Sequence, residues 1–159
     1  MGLMTFRRAS EADMDQIMAL VTETFSGEQS IPLELIPIPE ELSPQWWCAE
    51  IDGKIIGSIA LYKDHNEWHM GRFAVSPENR GCHLGTMLLQ SAVREIFSSG
   101  IEEIYCEARD TTVHIVEKLG GKITGDPVPF YDGNVTPMIL KRIYYTEQKA
   151  HCDNSADER

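Results

Sequence analysis

Apolar residues recur at helical spacing in three segments of the chain, and each segment is predicted to form an amphipathic helix. The first covers residues 11–25, where Ser10, followed three residues later by an aspartate, gives an N-cap signal. The second covers residues 84–97 and is expected to end at a Ser-Gly pair. The third covers residues 111–119 and is closed by two glycines. We expect the apolar face of each helix to pack into a core.

Shorter runs rich in β-branched and aromatic residues predict strands between these helices. They cover residues 4–8, 46–51, 54–62, 68–75, 104–108 and 135–144. Asp52-Gly53 separates the second run from the third, and this dipeptide is the strongest short signal for a β-hairpin.

Residues 26–44 contain four prolines among Ile and Leu, which predicts an irregular connection with a helical turn. The order of elements is then β, α, connection, βββ, α, β, α, β. This order predicts one α/β (α+β) domain, residues 1–145, built around a mixed, mostly antiparallel sheet with flanking helices. Residues 146–159 form a polar C-terminal tail without an apolar period, and we expect a mobile extension there.

The length of the chain indicates how many domains it forms, and its net charge indicates which classes of binding partner it disfavours. A chain of 159 residues fits one domain, and its 14 Lys and Arg against 25 Asp and Glu give a net charge of −11. This charge repels phosphate backbones and anionic lipid, so we expect no nucleic acid and no membrane as partner, and we leave a homodimer open. No apolar run approaches the roughly 18 residues of a membrane span, and the first residues lack the apolar core of a signal peptide. The expected location is cytoplasmic, with the cysteines as reduced thiols.

The segment most informative about chemistry is residues 71–86, which reads as a strand end, a tight turn, a glycine-containing loop and a helix start. Backbone N–H groups in the first turn of a helix have no partner within it, and the helix dipole is positive there. A pyrophosphate can therefore lie against this turn, with Gly81 and Gly85 allowing close approach of the backbone. The segment is neither a Walker loop nor a GxGxxG fingerprint.

The run Arg80-Gly81-Cys82-His83-Leu84-Gly85 resembles the acetyl-CoA motif of the GNAT superfamily of N-acetyltransferases. Residues 117–121, EKLGG, are similar to a second segment of that family, and the order of elements also matches. The resemblance implies a GNAT fold with a split between the strand ending near Val75 and the strand from Ile104. In that family the pantetheine of the cofactor inserts into the split.

The resemblance also implies acetyl-CoA as co-substrate and a set of residues that bind it. These are Phe73, Ala74, Val75, Arg80, Gly81, Cys82, His83, Leu84, Gly85, Thr86 and Arg109. His83 stands where the family usually has glycine, so its side chain must point away from the diphosphate, contact it, or weaken binding. Arg109 stands where the family often has an asparagine that faces the cofactor.

Acetyl transfer needs a neutral amine, so a base near the acceptor helps. His69 matches the place of the family's glutamate base, and Glu67 lies two residues away on the same strand face. Val116 replaces the tyrosine that usually protonates the leaving thiolate. Tyr131 or Tyr105 is a substitute donor, unless CoA leaves as the thiolate. The candidate catalytic residues are therefore His69, Glu67 and Tyr131.

The spacing of His65 and His69 superficially resembles a zinc motif. On a strand, four residues separate the two side chains by roughly 13 Å, which excludes a shared ion. We expect no metal site.

The sequence thus predicts an enzyme that moves an acetyl group from acetyl-CoA to a primary amine of a small molecule or peptide by direct attack. An acidic protein favours a cationic amine by steering. Two other hypotheses stay open. One is a noncatalytic acyl-CoA-binding or regulatory module, which Val116 and His83 favour. The other is a nucleic-acid-binding or partner-binding domain without CoA, which the net charge disfavours.

Overall fold

A computed structural model describes residues 3–148 of the chain. Within this part, the helices and strands in chain order are β1 Met4–Arg8, α1 Met14–Thr22, β2 Gln45–Ile51, β3 Lys54–Asp64, β4 Glu67–Val75, α2 Leu84–Ser98, β5 Glu103–Ala108, α3 Asp110–Lys118, β6 Lys122–Ile123, β7 Val128–Pro129 and β8 Asn134–Lys141. Each predicted helix and strand is present, and the Asp52-Gly53 hairpin connects β2 to β3.

The strands form one sheet in the order β1-β2-β3-β4-β5-β8-β6, and β7 also pairs with β8. Neighbouring strands are antiparallel except β4 and β5, which are parallel because α2 carries the chain across one face between them. The predicted mixed, mostly antiparallel sheet is confirmed.

Helices cover both faces of the sheet and define two cores. On one face α1 packs against β3 and β4, with Ile17 and Val21 fully buried. On the other face α2 and α3 cover a larger core around Leu88, Trp47 and Leu119. Together the helices hold the central strands β3 and β4 between two apolar layers, so their direction is fixed.

The predicted N-terminal helix is divided into three parts. Residues Glu11–Asp13 form a 3-10 turn, α1 follows, and Glu23–Glu28 form a wider π-type turn. The predicted cap is confirmed, because the Ser10 backbone N–H donates to the Asp13 carboxylate at 2.7 Å. The wide turn extends the helical segment beyond its predicted end at residue 25 and places residues 28 and 29 in the lining of the larger cavity described below.

Three features differ from the expectation. The last strand ends at Lys141, where Arg142–Tyr144 turn into a 3-10 segment. The two-residue strands β6 and β7 are too short to give an alternating pattern, so the sequence did not indicate them. The expected tail begins with packed residues, since Thr146 N–H donates to the Leu119 carbonyl at 2.8 Å and Glu147 pairs with Arg94. Residues 149–159 lie outside the described part of the chain.

Candidate functional site

The sheet opens between its two parallel strands. Pairing of β4 with β5 is confined to His69 with Tyr105 and Met70 with Cys106. Beyond these pairs the strands diverge, which confirms the predicted split. Two cavities lie along the opening, a larger one of about 650 Å³ and a smaller one of about 170 Å³.

A β-bulge shapes the strand on one side of the split. One residue of β3, Ile59, faces two residues of β4, Arg72 and Phe73. Arg72 has φ of 54°, a conformation that favours glycine. Its guanidinium donates to the backbone carbonyls of Ile36 at 2.6 Å and Leu35 at 3.0 Å. These bonds tie the irregular connection ahead of β2 to the bulge, so the connection becomes a wall of the smaller cavity.

The larger cavity contains most of the residues predicted to bind a cofactor. Its lining includes Phe73, Ala74, Val75, Arg80, Gly81, His83, Leu84, Gly85, Thr86 and Arg109. Cys82 is the member of the predicted set that does not line it. The sequence did not indicate a further group of lining residues from the segment after α1 and from α3, namely Thr24, Phe25, Glu28, Gln29, Thr111, Thr112, His114, Ile115 and Lys118.

The loop before α2 has the backbone that an anion site needs. Gly81 has φ of 90° and His83 has φ of 57°, so His83 adopts the left-handed conformation that a glycine adopts easily. α2 begins directly afterwards, at Leu84. Gly85 allows α2 to approach β4 closely, since a Cβ atom there would lie 2.9 Å from Cζ of Phe73. The first turn of α2 therefore lies at the larger cavity with its N–H groups.

The charge of this cavity is opposite to that of the whole chain. Arg80, Arg109 and Lys118 contribute cations to the lining, and Glu28 contributes the one carboxylate among the described lining residues. Nη2 of Arg80 lies 3.0 Å from this carboxylate, and its Nε donates to the Val75 carbonyl at 2.8 Å. The lining thus favours an anionic ligand in a protein of net charge −11.

The smaller cavity contains His69 and several groups that sequence reasoning missed. The imidazole of His69 stacks on the ring of Tyr62, with centroids 5.6 Å apart. Its Nε2 lies 3.6 Å from Oε1 of Glu67, which itself lies outside the lining. Tyr62 lines the cavity, and burial raises the pKa of its hydroxyl. Burial also raises the pKa of the Cys106 thiol, another lining group, to about 12.

The two tyrosines considered as proton donors lie elsewhere. Tyr131 is 49% exposed, its ring packs against Phe130, and it lines neither cavity. Tyr105 also lines neither cavity, and its hydroxyl donates to Glu103 at 3.2 Å. Val116 is 1% exposed and belongs to the core. The phenol that does line the smaller cavity is that of Tyr62.

Three residues, Phe25, Gln29 and Arg109, line both cavities and mark where these adjoin. The Arg109 guanidinium stacks on Phe130, and its Nη1 donates to the Phe130 carbonyl at 2.9 Å. Across the opening, the Ser30 hydroxyl donates to Asp132 at 2.6 Å. The turn between β7 and β8 is therefore hydrogen-bonded to the segment that follows α1, close to where the two cavities adjoin.

Residues 3–148 contain no group of three or more His, Cys, Asp or Glu residues that could hold a metal ion. This part of the chain also contains no helix with the length and apolar character needed to cross a membrane.

Comparison with known proteins gives one family. The family model described as the acetyltransferase (GNAT) family matches residues 14–120. An uncharacterized N-acetyltransferase of Methanocaldococcus jannaschii is 31% identical over 96 residues, which are 60% of this chain and 60% of that protein. The chain thus spans three fifths of the length of this curated relative.

Solved structures share the fold over nearly their whole length. Escherichia coli ElaA has a TM-score of 0.74 at 15% identity, covering 89% of this chain and 100% of that one. The Salmonella typhimurium protein yncA, determined with its cofactor acetyl-CoA, has a TM-score of 0.73 at 18% identity, covering 92% of this chain and 98% of that one.

Proposed function

The chain belongs to the GNAT acetyltransferase family, and from this premise we propose that it transfers an acetyl group from acetyl-CoA to a primary amine of a small molecule or peptide by direct attack. The observation that carries the proposal is the junction of two cavities at the split between β4 and β5. One cavity suits a long anionic cofactor and the other suits an acceptor. Where they adjoin, a thioester and an amine can meet.

The larger cavity is assigned to acetyl-CoA. The N–H groups at the start of α2 would hold the pyrophosphate, and Phe73, Ala74 and Val75 would pair with the pantetheine along the free edge of β4. Cations of the lining supply further attraction for the phosphates. A relative with the same fold was solved with its cofactor acetyl-CoA, which supports this assignment.

Direct attack is favoured over an acetylated enzyme. Cys106 is the one cysteine of the described residues that lines either cavity, and its thiol pKa of about 12 keeps it protonated at neutral pH. A protonated thiol is a poor nucleophile. The amine nitrogen therefore attacks the thioester carbonyl itself, the new C–N bond forms, the C–S bond breaks, and the sulfur leaves with the electron pair.

The amine must lose a proton for this reaction, and we assign the base to His69. Its imidazole lines the smaller cavity, and Glu67 lies close enough to pair with the imidazolium that forms. Glu67 is the second choice, because its own side chain is outside the lining. The acceptor enters through the smaller cavity, whose apolar and aromatic walls also carry the Glu107 carboxylate and the guanidinium groups of Arg72 and Arg109.

The second candidate function is a noncatalytic acyl-CoA-binding module. The observation that favours it is the fully buried Val116. This residue stands where the family usually has a proton-donating tyrosine, so no hydroxyl group is present at that position. A thiolate of CoA is only modestly basic, so this loss does not by itself prevent turnover.

One experiment separates the two functions. Release of CoA is followed with a thiol reagent over a panel of amines that contains polyamines, aminoglycosides, amino acids and peptides, while CoA affinity is measured by calorimetry. An acetyltransferase gives amine-dependent release of CoA and an acetylated product by mass spectrometry. Tight CoA binding with no acetylated amine across the panel would favour the binding module instead.

A further inference from the structure

Unsatisfied polar atoms concentrate at the junction of the two cavities. Within residues 3–148, four buried side-chain atoms have no hydrogen-bond partner: Thr24 Oγ1, Gln29 Oε1, Ser58 Oγ and Arg109 Nη2. Buried polar atoms without a partner are rare in folded proteins, because they have lost water and gained nothing in exchange. Two of the four belong to Gln29 and Arg109, which line both cavities.

These two atoms have complementary chemistry. A carboxamide oxygen can only accept a hydrogen bond, and a guanidinium nitrogen can only donate one. At the junction the proposed reaction brings in both kinds of partner, since the amine carries N–H groups and the thioester carries a carbonyl. We propose that the buried Gln29 carboxamide turns its Oε1 towards the junction, where this oxygen accepts a hydrogen bond from the attacking amine and so orients the lone pair of the amine. This proposal rests on the acetyltransferase function given above.

The backbone around Gln29 is held in place for such a role. Its carbonyl accepts a hydrogen bond from the N–H of Asp132 at 3.4 Å, and the next residue, Ser30, donates to the Asp132 carboxylate. The neighbouring carboxylate of Glu28 is turned to Arg80 instead. The acceptor that Gln29 brings to the junction is therefore an uncharged amide, fixed through the turn between β7 and β8. The carboxylate of the smaller cavity, Glu107, is not among the residues that line both cavities.

An uncharged acceptor suits the reaction better than a carboxylate would. A carboxylate beside the amine stabilises its protonated form and raises the amine pKa, which lowers the fraction able to attack. The amide oxygen holds one N–H of the neutral amine without this penalty. The lone pair attacks the thioester carbon, the nitrogen then gives its second proton to His69, and the C–S bond breaks with the electron pair on sulfur.

The test uses two substitutions in the full chain, with the best amine from the panel. Gln29→Met keeps the length of the side chain but removes the oxygen, and we expect kcat/KM for the amine to fall about 10–100-fold while the dissociation constant of CoA stays within about twofold. Gln29→Glu keeps an oxygen acceptor. We expect it to retain amine binding and to shift the acidic limb of the kcat profile to higher pH.

Two other variants separate the amide from general effects. Gln45→Met makes the same change on β2, where the carboxamide contacts Arg8 far from either cavity, and should leave kinetics unchanged. Ser30→Ala removes the hydroxyl that contacts Asp132 but keeps the Gln29 amide, so it should lower kcat/KM less than Gln29→Met does. Wild-type kinetics in Gln29→Met would overturn the proposal, and so would an equal loss in Gln45→Met. A wild-type protein that acetylates no amine would instead overturn the proposed function, and this inference with it.

Discussion

His69 is the residue on which the proposed proton transfer depends. We expect His69→Ala to lower kcat at pH 7 by about 10²–10⁴-fold, because a positioned general base contributes that much, while CoA affinity is retained. The measurement is the rate against pH with one good amine.

His65 provides a matched control for this prediction. Its side chain is 93% exposed and it lines neither cavity, so His65→Ala should keep the wild-type profile. Glu67→Gln should cause a smaller loss than His69→Ala, because Glu67 acts only by pairing with the imidazolium. Equal rates for wild type and His69→Ala at every pH would remove His69 from the mechanism and leave positioning as the main contribution.

At the scale of single residues, the sequence predicts the role of a residue when that residue belongs to a contiguous motif. The loop from Arg80 to Gly85 carries its own signal, because the glycines and the following helix are contiguous. Tyr62 and Gln29 carry none, since a tyrosine in a strand and a glutamine in an irregular segment are usual. Their place in the cavities depends on how distant elements pack. The same limit applies to Tyr131, whose hydroxyl makes it a candidate proton donor in the sequence but which lies outside both cavities.

At the scale of elements, one ionic cluster joins the start of the chain to the sheet. Arg7 of β1 donates to Asp13 at 2.8 and 2.9 Å and to Glu50 of β2 at 2.6 Å, and these bonds hold the pKa of Asp13 well below its usual range. A carboxyl with a lowered folded-state pKa contributes stability above its unfolded pKa of about 4, and this is lost as pH falls towards the folded value. Acid should therefore loosen the start of α1.

We expect Asp13→Asn to lower the free energy of unfolding by about 1–3 kcal/mol at pH 7, because Arg7 and the Ser10 N–H lose a charged partner. The difference from wild type should shrink below pH 4, because the Asp13 carboxyl of the unfolded chain takes up a proton there while the folded carboxyl, with its lowered pKa, stays ionised. Urea unfolding at pH 7 and pH 3 measures both values. Glu102→Gln removes an exposed ion pair with Arg142 and should change stability by less than about 0.5 kcal/mol. A constant difference at both pH values would contradict this account.

Elements with a clear hydrophobic period in their own sequence could be predicted. Elements that exist only because they pair with another strand could not. The Asp52-Gly53 hairpin and α2 follow from local signals, and both lie where the pattern indicates. β6 and β7 exist because β8 offers them pairing groups, and two residues cannot show a period. The bulge at Arg72 likewise depends on register with β3, which the sequence of β4 alone does not reveal.

At the scale of the whole molecule, the open split makes stability sensitive to the cofactor. Acetyl-CoA at 100 times its dissociation constant should stabilise the fold by about 2.7 kcal/mol. For a chain of this size that corresponds to a rise in Tm of roughly 5–10 °C, measured by thermal denaturation. Gly81→Asp should lose most of this rise, because it sets a carboxylate beside the diphosphate site.

Gly53→Asp separates that effect from backbone strain. Gly53 also has a positive φ, 79°, and, as at Gly81, no described atom outside its chain neighbours lies within 4 Å of an added Cβ. It lies in the turn between β2 and β3, away from both cavities, so this variant should unfold earlier yet keep the full rise with acetyl-CoA. A full rise in a folded Gly81→Asp would contradict the assignment of the larger cavity.

Net charge describes the whole molecule and does not show how the charged side chains are distributed over its surface and cavities. The composition predicts repulsion of polyanions, yet the larger cavity combines Arg80, Arg109 and Lys118. These residues are distant in sequence and meet only after β4, β5 and α3 are assembled. The fold class and the split follow from the order of elements, whereas the meeting of the two cavities is a property of the tertiary structure.

The contact made by Arg72 has a consequence for how this scaffold can diversify. Its guanidinium donates hydrogen bonds to the backbone carbonyls of residues 35 and 36. Backbone carbonyls are present whatever the side chains are, so these bonds do not depend on the residue types at the two positions. The exposed side chains of residues 33–35 can therefore vary without loss of these hydrogen bonds, while the residues that line the larger cavity stay unchanged. A segment grafted here from a relative would bring a new acceptor range to an intact acetyl donor site.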